Sequence, residues 1–186
     1  MQLINSIKEH IKVFESLESL ESELLLISEH CIESIKGGGK IIFAGNGGSA
    51  SDAQHLAAEL IGRLKDDRIA LPSISLATDT SAITCIGNDF GFDYIFSRQI
   101  EGIGSTNDIF IPITTSGNSA NLINATEACI KKDIKVFPFL GKNGGKLKKI
   151  VEHSLHVQSM DTARIQEAHI FLGHLMCFAI EEGCLK

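Results

Sequence analysis

From Lys40 onward, short apolar runs of strand length alternate with longer stretches of helical periodicity, several of them joined by glycine-rich turns. The strand-like runs fall at 40–45 (KIIFAG), 73–76, 108–113, 135–140 and 154–157. Helical runs occupy 49–64, 80–86, 92–103, 120–131 and 145–151, and a last one covers about 161–182. Such alternation predicts a parallel sheet covered by helices on both faces. No proline-rich or charged linker interrupts the chain, so 1–186 is expected to form one domain.

Ahead of the first strand, residues 3–36 carry Leu17, Leu20, Leu24, Ile27, Cys31 and Ile35 at three- and four-residue steps, which predicts helices. Helices placed outside an alternating core need a surface to cover, and contact between subunits is the expected use. Hydrophobic residues make up 44% and charged residues 22% of the chain, and the formal net charge is -6. An acidic chain is not expected to bind nucleic acid. One basic stretch (Lys131, Lys132, Lys135, Lys142, Lys146, Lys148 and Lys149) reads as solvated helix and loop faces. The N-terminal MQLINSIKEH lacks the apolar run of a signal peptide, and no segment is expected to be long enough to span a bilayer. Five widely spaced cysteines without a C-x-x-C pair suit a reducing compartment, and a cytoplasmic location is expected.

Two turns have the composition of an anion site. Gly45-Asn46-Gly47-Gly48-Ser49 lies where a strand hands over to a helix, so backbone N–H groups at the helix start can face an anion. Gly45, Gly47 and Ala50 also fit a dinucleotide fingerprint, but position 70 is alanine and the nearest strand-end acid, Asp79, comes too late. A Walker loop fails because no Gly-Lys-Ser/Thr follows. The second turn, ITTSGNSAN at 113–121, again follows a strand and opens a helix, and it carries the hydroxyls of Thr114, Thr115, Ser116 and Ser119. Capping uses one hydroxyl, which leaves several for a phosphate. A third glycine-rich run, 141–145, reads as a turn without chemistry.

Two helices carry polar side chains suited to chemistry. Ser51, His55, Glu59 and Arg63 recur at four-residue steps and form one stripe. His55 and Glu59 could share a divalent metal, act as an acid–base pair, or form a surface hydrogen bond. The last helix is strongly apolar yet bears Arg164, Gln166, Glu167, His169 and His174, and buried polar groups need partners. Helix geometry alone pairs His174 with Glu167, two turns earlier.

Taken together, the segments GNGGSASDAQH (45–55), AAELIGR (57–63), IGNDFGFDYIFSRQ (86–99), TTSGNSAN (114–121) and ARIQEAH (163–169) resemble the sugar isomerase (SIS) family of phosphosugar-binding domains. The resemblance runs over the whole chain. It implies a three-layer αβα sandwich with a flavodoxin-like parallel sheet, an N-terminal helical extension over 1–36 used in oligomerisation, and a homotetramer with active sites at subunit interfaces. The implied activity is an aldose–ketose isomerase that converts D-sedoheptulose 7-phosphate to D-glycero-D-manno-heptose 7-phosphate, a precursor of lipopolysaccharide or capsule. The resemblance assigns Gly45, Asn46, Gly47, Gly48, Ser49, Glu59, Asn88, Asp89, Thr114, Thr115, Ser116, Ser119 and Gln166 to the phosphosugar. To a zinc ion it assigns His55, Glu59, Gln166 and His174, with Glu59 and His174 also catalytic; it thus selects Gln166 where geometry selects Glu167. Where the family usually has Ser-Thr-Ser, this chain has Thr114, and the hydroxyl is kept. Some relatives are non-catalytic tetramers that bind a replication-initiator protein, which gives a second expectation.

Overall fold

A computed structural model describes residues 2–65 and 67–185. Two N-terminal helices, α1 (Leu3–Ser16) and α2 (Glu21–Lys36), precede the strand β1 (Ile41–Gly45). There follow α3 (Gly48–Ile61), β2 (Ser73–Ser75), α4 (Thr80–Asp89), α5 (Ser97–Ile103), β3 (Ile109–Thr114) and α6 (Ala120–Lys131). The short strands β4 (Lys135–Val136), β5 (Phe139–Leu140) and β6 (Leu155–His156) lead to α7 (Thr162–Leu185).

All strand pairs are parallel, in the order β2-β1-β3-β5-β6, with β4 also on β3. Because β4 and β5 lie end to end along β3, the sheet has the flavodoxin-like order 2-1-3-4-5, as the sequence predicts. The run expected as one strand at 135–140 is broken for a chemical reason. Extending the β3 register places Pro138 beside Pro112, and neither ring nitrogen has a hydrogen to donate.

Side chains alternate across the sheet. Ile41 and Phe43 of β1 join Ile109, Ile111 and Ile113 of β3 on the face covered by α2, α3 and α7. Ile42 and Ala44 join Phe110 and Leu140 on the other face, with Ile100 of α5 and Leu122 and Cys129 of α6. Two expected helices are shorter than their periodicity suggests. The region at 145–151 is a single 3-10 turn, Leu147–Lys149, behind Gly144 and Gly145, which both have positive φ. The region at 92–103 splits into a 3-10 turn, Phe92–Tyr94, and α5.

One expectation needs correction. α7 has 24 residues and by length and composition is apolar enough to cross a bilayer. In this fold it is a core helix: Ile165, Ala168, Leu172, Met176, Cys177 and Ile180 are buried in the cluster shared with α2 and α3. Gly173 admits the fully buried Leu56 of α3, which a β-carbon at that position would displace.

Two polar groups anchor this helix. Arg68 follows α3 and Glu181 lies near the end of α7; their side chains are 1% and 2% exposed and meet at 2.8 Å. Arg68 also donates to the carbonyls of Glu59 and Leu60, and so ties the end of α3 to α7. Removing one partner of a buried ion pair leaves a charge without compensation. The substitution Glu181→Leu is expected to cost about 3–5 kcal/mol, read as a lowered thermal or denaturant midpoint.

His169 is the second anchor. Its Nε2 pairs with the Leu140 carbonyl at 2.9 Å, while its buried Nδ1 has no partner among the described residues. Burial lowers its pKa from 6.5 to about 4. Between those values the unfolded chain binds the proton more readily than the folded one, so stability falls as pH drops from 6.5 toward 4. The loss approaches roughly 3 kcal/mol. His169→Phe should flatten that part of the curve in denaturant melts taken between pH 7 and pH 5.

Candidate active site

In open parallel sheets, ligands bind beyond the carboxyl ends of the strands, at the point where strand order reverses. Here that point lies between β1 and β3, and the two loops singled out in the sequence leave these two strands. They are bound to each other. Asn46 Nδ2 donates to Asn121 Oδ1 and Asn121 Nδ2 donates to Asn46 Oδ1, both at 2.9 Å. Asn121 is buried, and the sequence gives it no role beyond its place in the motif.

Between the loops lies a pocket of about 300 Å³ lined by Asn46, Gly47, Gly48, Ser49, Ile113, Thr114, Thr115, Ser116, Ser119, Thr162 and Gln166. Every loop residue that the family resemblance assigns to a phosphosugar, Gly45 excepted, is in this lining, and so is Gln166. Among the described residues, no lysine or arginine is. Gly47, at φ 57, precedes the first turn of α3 without a side-chain cap. Ser119 holds the cap position of α6, but its hydroxyl makes no cap bond. Both helix starts therefore keep N–H groups for an anion. By contrast, Asp79 caps α4 by accepting from Ala82 N at 2.9 Å, which is the structural use of the acid weighed against a dinucleotide site.

The third glycine-rich run does more than turn the chain. Leu147 N donates to the Gly117 carbonyl and Lys146 N to Asn118 Oδ1, both at 3.0 Å. The backbone of Gly144 fills the space a β-carbon on Gly117 would take. This run and the turn that follows it thus prop the hydroxyl-rich loop from behind.

The second half of the site lies farther along α3 and α7. These helices run side by side in one direction, since Gly48 meets Gln166 and Leu56 meets Gly173. That arrangement brings His55, Glu59 and His174 together. His55 Nε2 is 3.1 Å from Glu59 Oε1 and 3.0 Å from His174 Nε2. One candidate ligand atom from each of the three lies within 4.8 Å of the others. Two imidazole nitrogens and a carboxylate oxygen suit zinc, and two ring nitrogens facing each other at 3.0 Å leave room for only one proton between them. The donor set therefore fits a divalent metal. Asp52, one turn before His55 on α3, is half-buried with one carboxylate oxygen unpartnered among the described residues; burial raises its pKa, with the nearby His55 opposing.

Two sequence assignments land elsewhere. Glu167, which helix geometry pairs with His174, instead accepts from His10 Nδ1 at 2.8 Å and from Arg164. It fastens α7 to α1, while Gln166 faces the phosphate-type loops. Asn88 and Asp89 end α4 on an exposed surface outside the pocket, where Asn88 Nδ2 donates to Asp89 Oδ1 at 2.7 Å.

Known proteins share this sequence pattern and fold. The SIS domain family matches residues 4–141. A phosphoheptose isomerase of Nitratiruptor sp. is 48% identical, with 94% of each chain covered. One of Campylobacter jejuni is also 48% identical, over 95% of each. Among solved structures, a phosphoheptose isomerase from Neisseria gonorrhoeae superposes with a TM-score of 0.92 at 40% identity, covering 97% of each chain. One from Francisella tularensis gives 0.93 at 31% identity, covering 98% of this chain and 100% of that one. The chain belongs to the SIS domain family and, within it, to the phosphoheptose isomerases.

Proposed function

We propose that this protein isomerises D-sedoheptulose 7-phosphate to D-glycero-D-manno-heptose 7-phosphate, which feeds lipopolysaccharide or capsule precursors. The observation that carries this reading is that α3 and α7 each contribute to both an anion pocket and a cluster of one carboxylate and two imidazoles. No lysine or arginine among the described residues lines that pocket, and in the cluster His55 stands between Glu59 and His174. We take residues 1–186 as one unit, because Gln166 and His174 complete a site whose loops lie within 4–141.

The phosphate is held by the hydroxyls of Ser49, Thr114, Thr115, Ser116 and Ser119, and by the free N–H groups that open α3 and α6. Gln166 orients the sugar. Glu59 takes the proton from C1 and returns it at C2, while His174 gives a proton to the C2 carbonyl oxygen and then takes the proton of the C1 hydroxyl, which restores both groups. His55, Glu59 and His174 hold zinc, with Gln166 as the fourth ligand the family resemblance offers. When bound, the ion supplies a positive charge that polarises a carbonyl oxygen. A ligating carboxylate or imidazole is a poorer proton carrier, so binding metal and moving protons compete at Glu59 and His174.

Exposed apolar side chains support the homotetramer. Leu3, Ile4, Ile7 and Ile11 stand exposed on α1 at helical steps, and Phe90, Phe92 and Tyr94 are exposed beside Asn88 and Asp89. Association through the second patch would carry Asn88 and Asp89 to a neighbouring subunit's sugar. Five free cysteines suit a reducing compartment, here the cytoplasm.

The deciding experiment is an isomerase assay on sedoheptulose 7-phosphate, with and without added zinc and alongside metal analysis. Turnover is expected, and Glu59→Gln should lower kcat at least about 100-fold while the circular dichroism spectrum is unchanged. Full activity in that variant would end the acid–base assignment.

A further inference from the structure

We infer that Thr162 is an additional ligand of the substrate phosphate. The inference rests on the phosphosugar reading of the pocket but concerns a residue that none of the motifs includes. Thr162 is the first residue of α7, it is exposed, and it lines the pocket together with both loops. Its hydroxyl enters no hydrogen bond among the described residues, so it has a proton to give and no structural partner.

Its surroundings favour an anion despite the acidic neighbour. Asp161 directs its carboxylate into the start of α7, where Oδ1 accepts from Ala163 N at 2.7 Å and Arg164 N at 3.4 Å. That negative charge is taken up by the helix end, and Thr162 joins Gln166 as a group that α7 presents to the pocket. No lysine or arginine among the described residues lines the pocket, so a phosphate there depends on the number of neutral donors around it. Donors from the first loop and from the second approach from β1 and β3; Thr162 adds one from a third element.

Position along α7 separates a phosphate contact from a sugar contact. Gln166, one turn later on the same face, lies against Gly48 at the start of α3. Thr162 lies one turn farther from His174 than Gln166 does, toward the loop end of the seam. The reacting carbons belong at the His174 end, so the far end of the chain, which carries the phosphate, belongs beside Thr162.

The test measures binding of inorganic phosphate and of sedoheptulose 7-phosphate by calorimetry, and the KM of turnover, for Thr162→Val and Thr162→Ser. Thr162→Val should weaken both ligands about tenfold and raise KM by a similar factor, beyond any change in kcat. Thr162→Ser, which keeps the hydroxyl, should restore both. Unchanged binding in a folded Thr162→Val variant overturns the inference, and so does weakened sugar phosphate with unchanged inorganic phosphate, which would make Thr162 a sugar contact. If the wild-type protein has no isomerase activity yet Thr162→Val loses phosphate, the isomerase reading fails and the phosphate ligand stands.

Discussion

The parallel packing of α3 against α7 is the constraint on which the site depends. His55 and His174 are 119 residues apart in sequence, and nothing local could bring their rings to 3.0 Å. Gly173 sets the depth of the contact by admitting Leu56, and Gly48 sets it at the other end by admitting the Gln166 side chain. The buried Arg68–Glu181 pair then closes the far end of both helices. Because the helices run in the same direction, each step along α3 has a counterpart along α7. The loop end of the pair gathers Gly48, Gln166 and Thr162, and the middle gathers His55, Glu59 and His174. A substrate lying along this seam would meet anion-binding groups and proton-moving groups in a fixed order.

On the proposed reading, a dianion is held in a chain of net charge -6 with no basic residue among the described residues of the pocket, and the sheet order provides for this. The strand reversal between β1 and β3 places two helix starts side by side, and partial positive charge at each is fixed in direction by the backbone. The reciprocal amide pair of Asn46 and Asn121 keeps the loops in register, which removes the need to order them when ligand arrives. Hydroxyls add donors without adding charge. Such a pocket gains its affinity from the arrangement of many weak donors, so small displacements of either loop matter more than they would around a lysine.

The sequence made the architecture legible because the features that define it are local. The 120–131 helix, the loop positions and the parallel order follow from periodicity and turn composition. Breaks in the elements were less legible, since they arise from neighbours in space: Pro138 interrupts its strand because it faces Pro112. Candidate chemistry was legible as two separate stripes, but which residues meet was not. His174 and Glu167 align on an isolated helix, yet α1 supplies His10 to Glu167 and α3 supplies His55 to His174. Arg68, Glu181 and Thr162 carry no periodic or motif signal, Asn121 none beyond its place in the second loop, and only the packing gives them a role.

Solvent access at the reacting end explains why a single chain is an incomplete description of the proposed enzyme. The His55 side chain is 50% exposed and that of Glu59 21%. In contact with bulk water, a charge developing on the substrate is stabilised by solvent that must reorganise with each turnover, and fixed donors gain little over it. Enclosure by a neighbouring subunit would strengthen the same residues without moving them. The exposed apolar steps of α1 and the aromatic residues after Asp89 provide surfaces on which such a neighbour could rest. On this argument the proposed tetramer is part of the catalytic design, because it would supply the dry walls that α3 and α7 leave open.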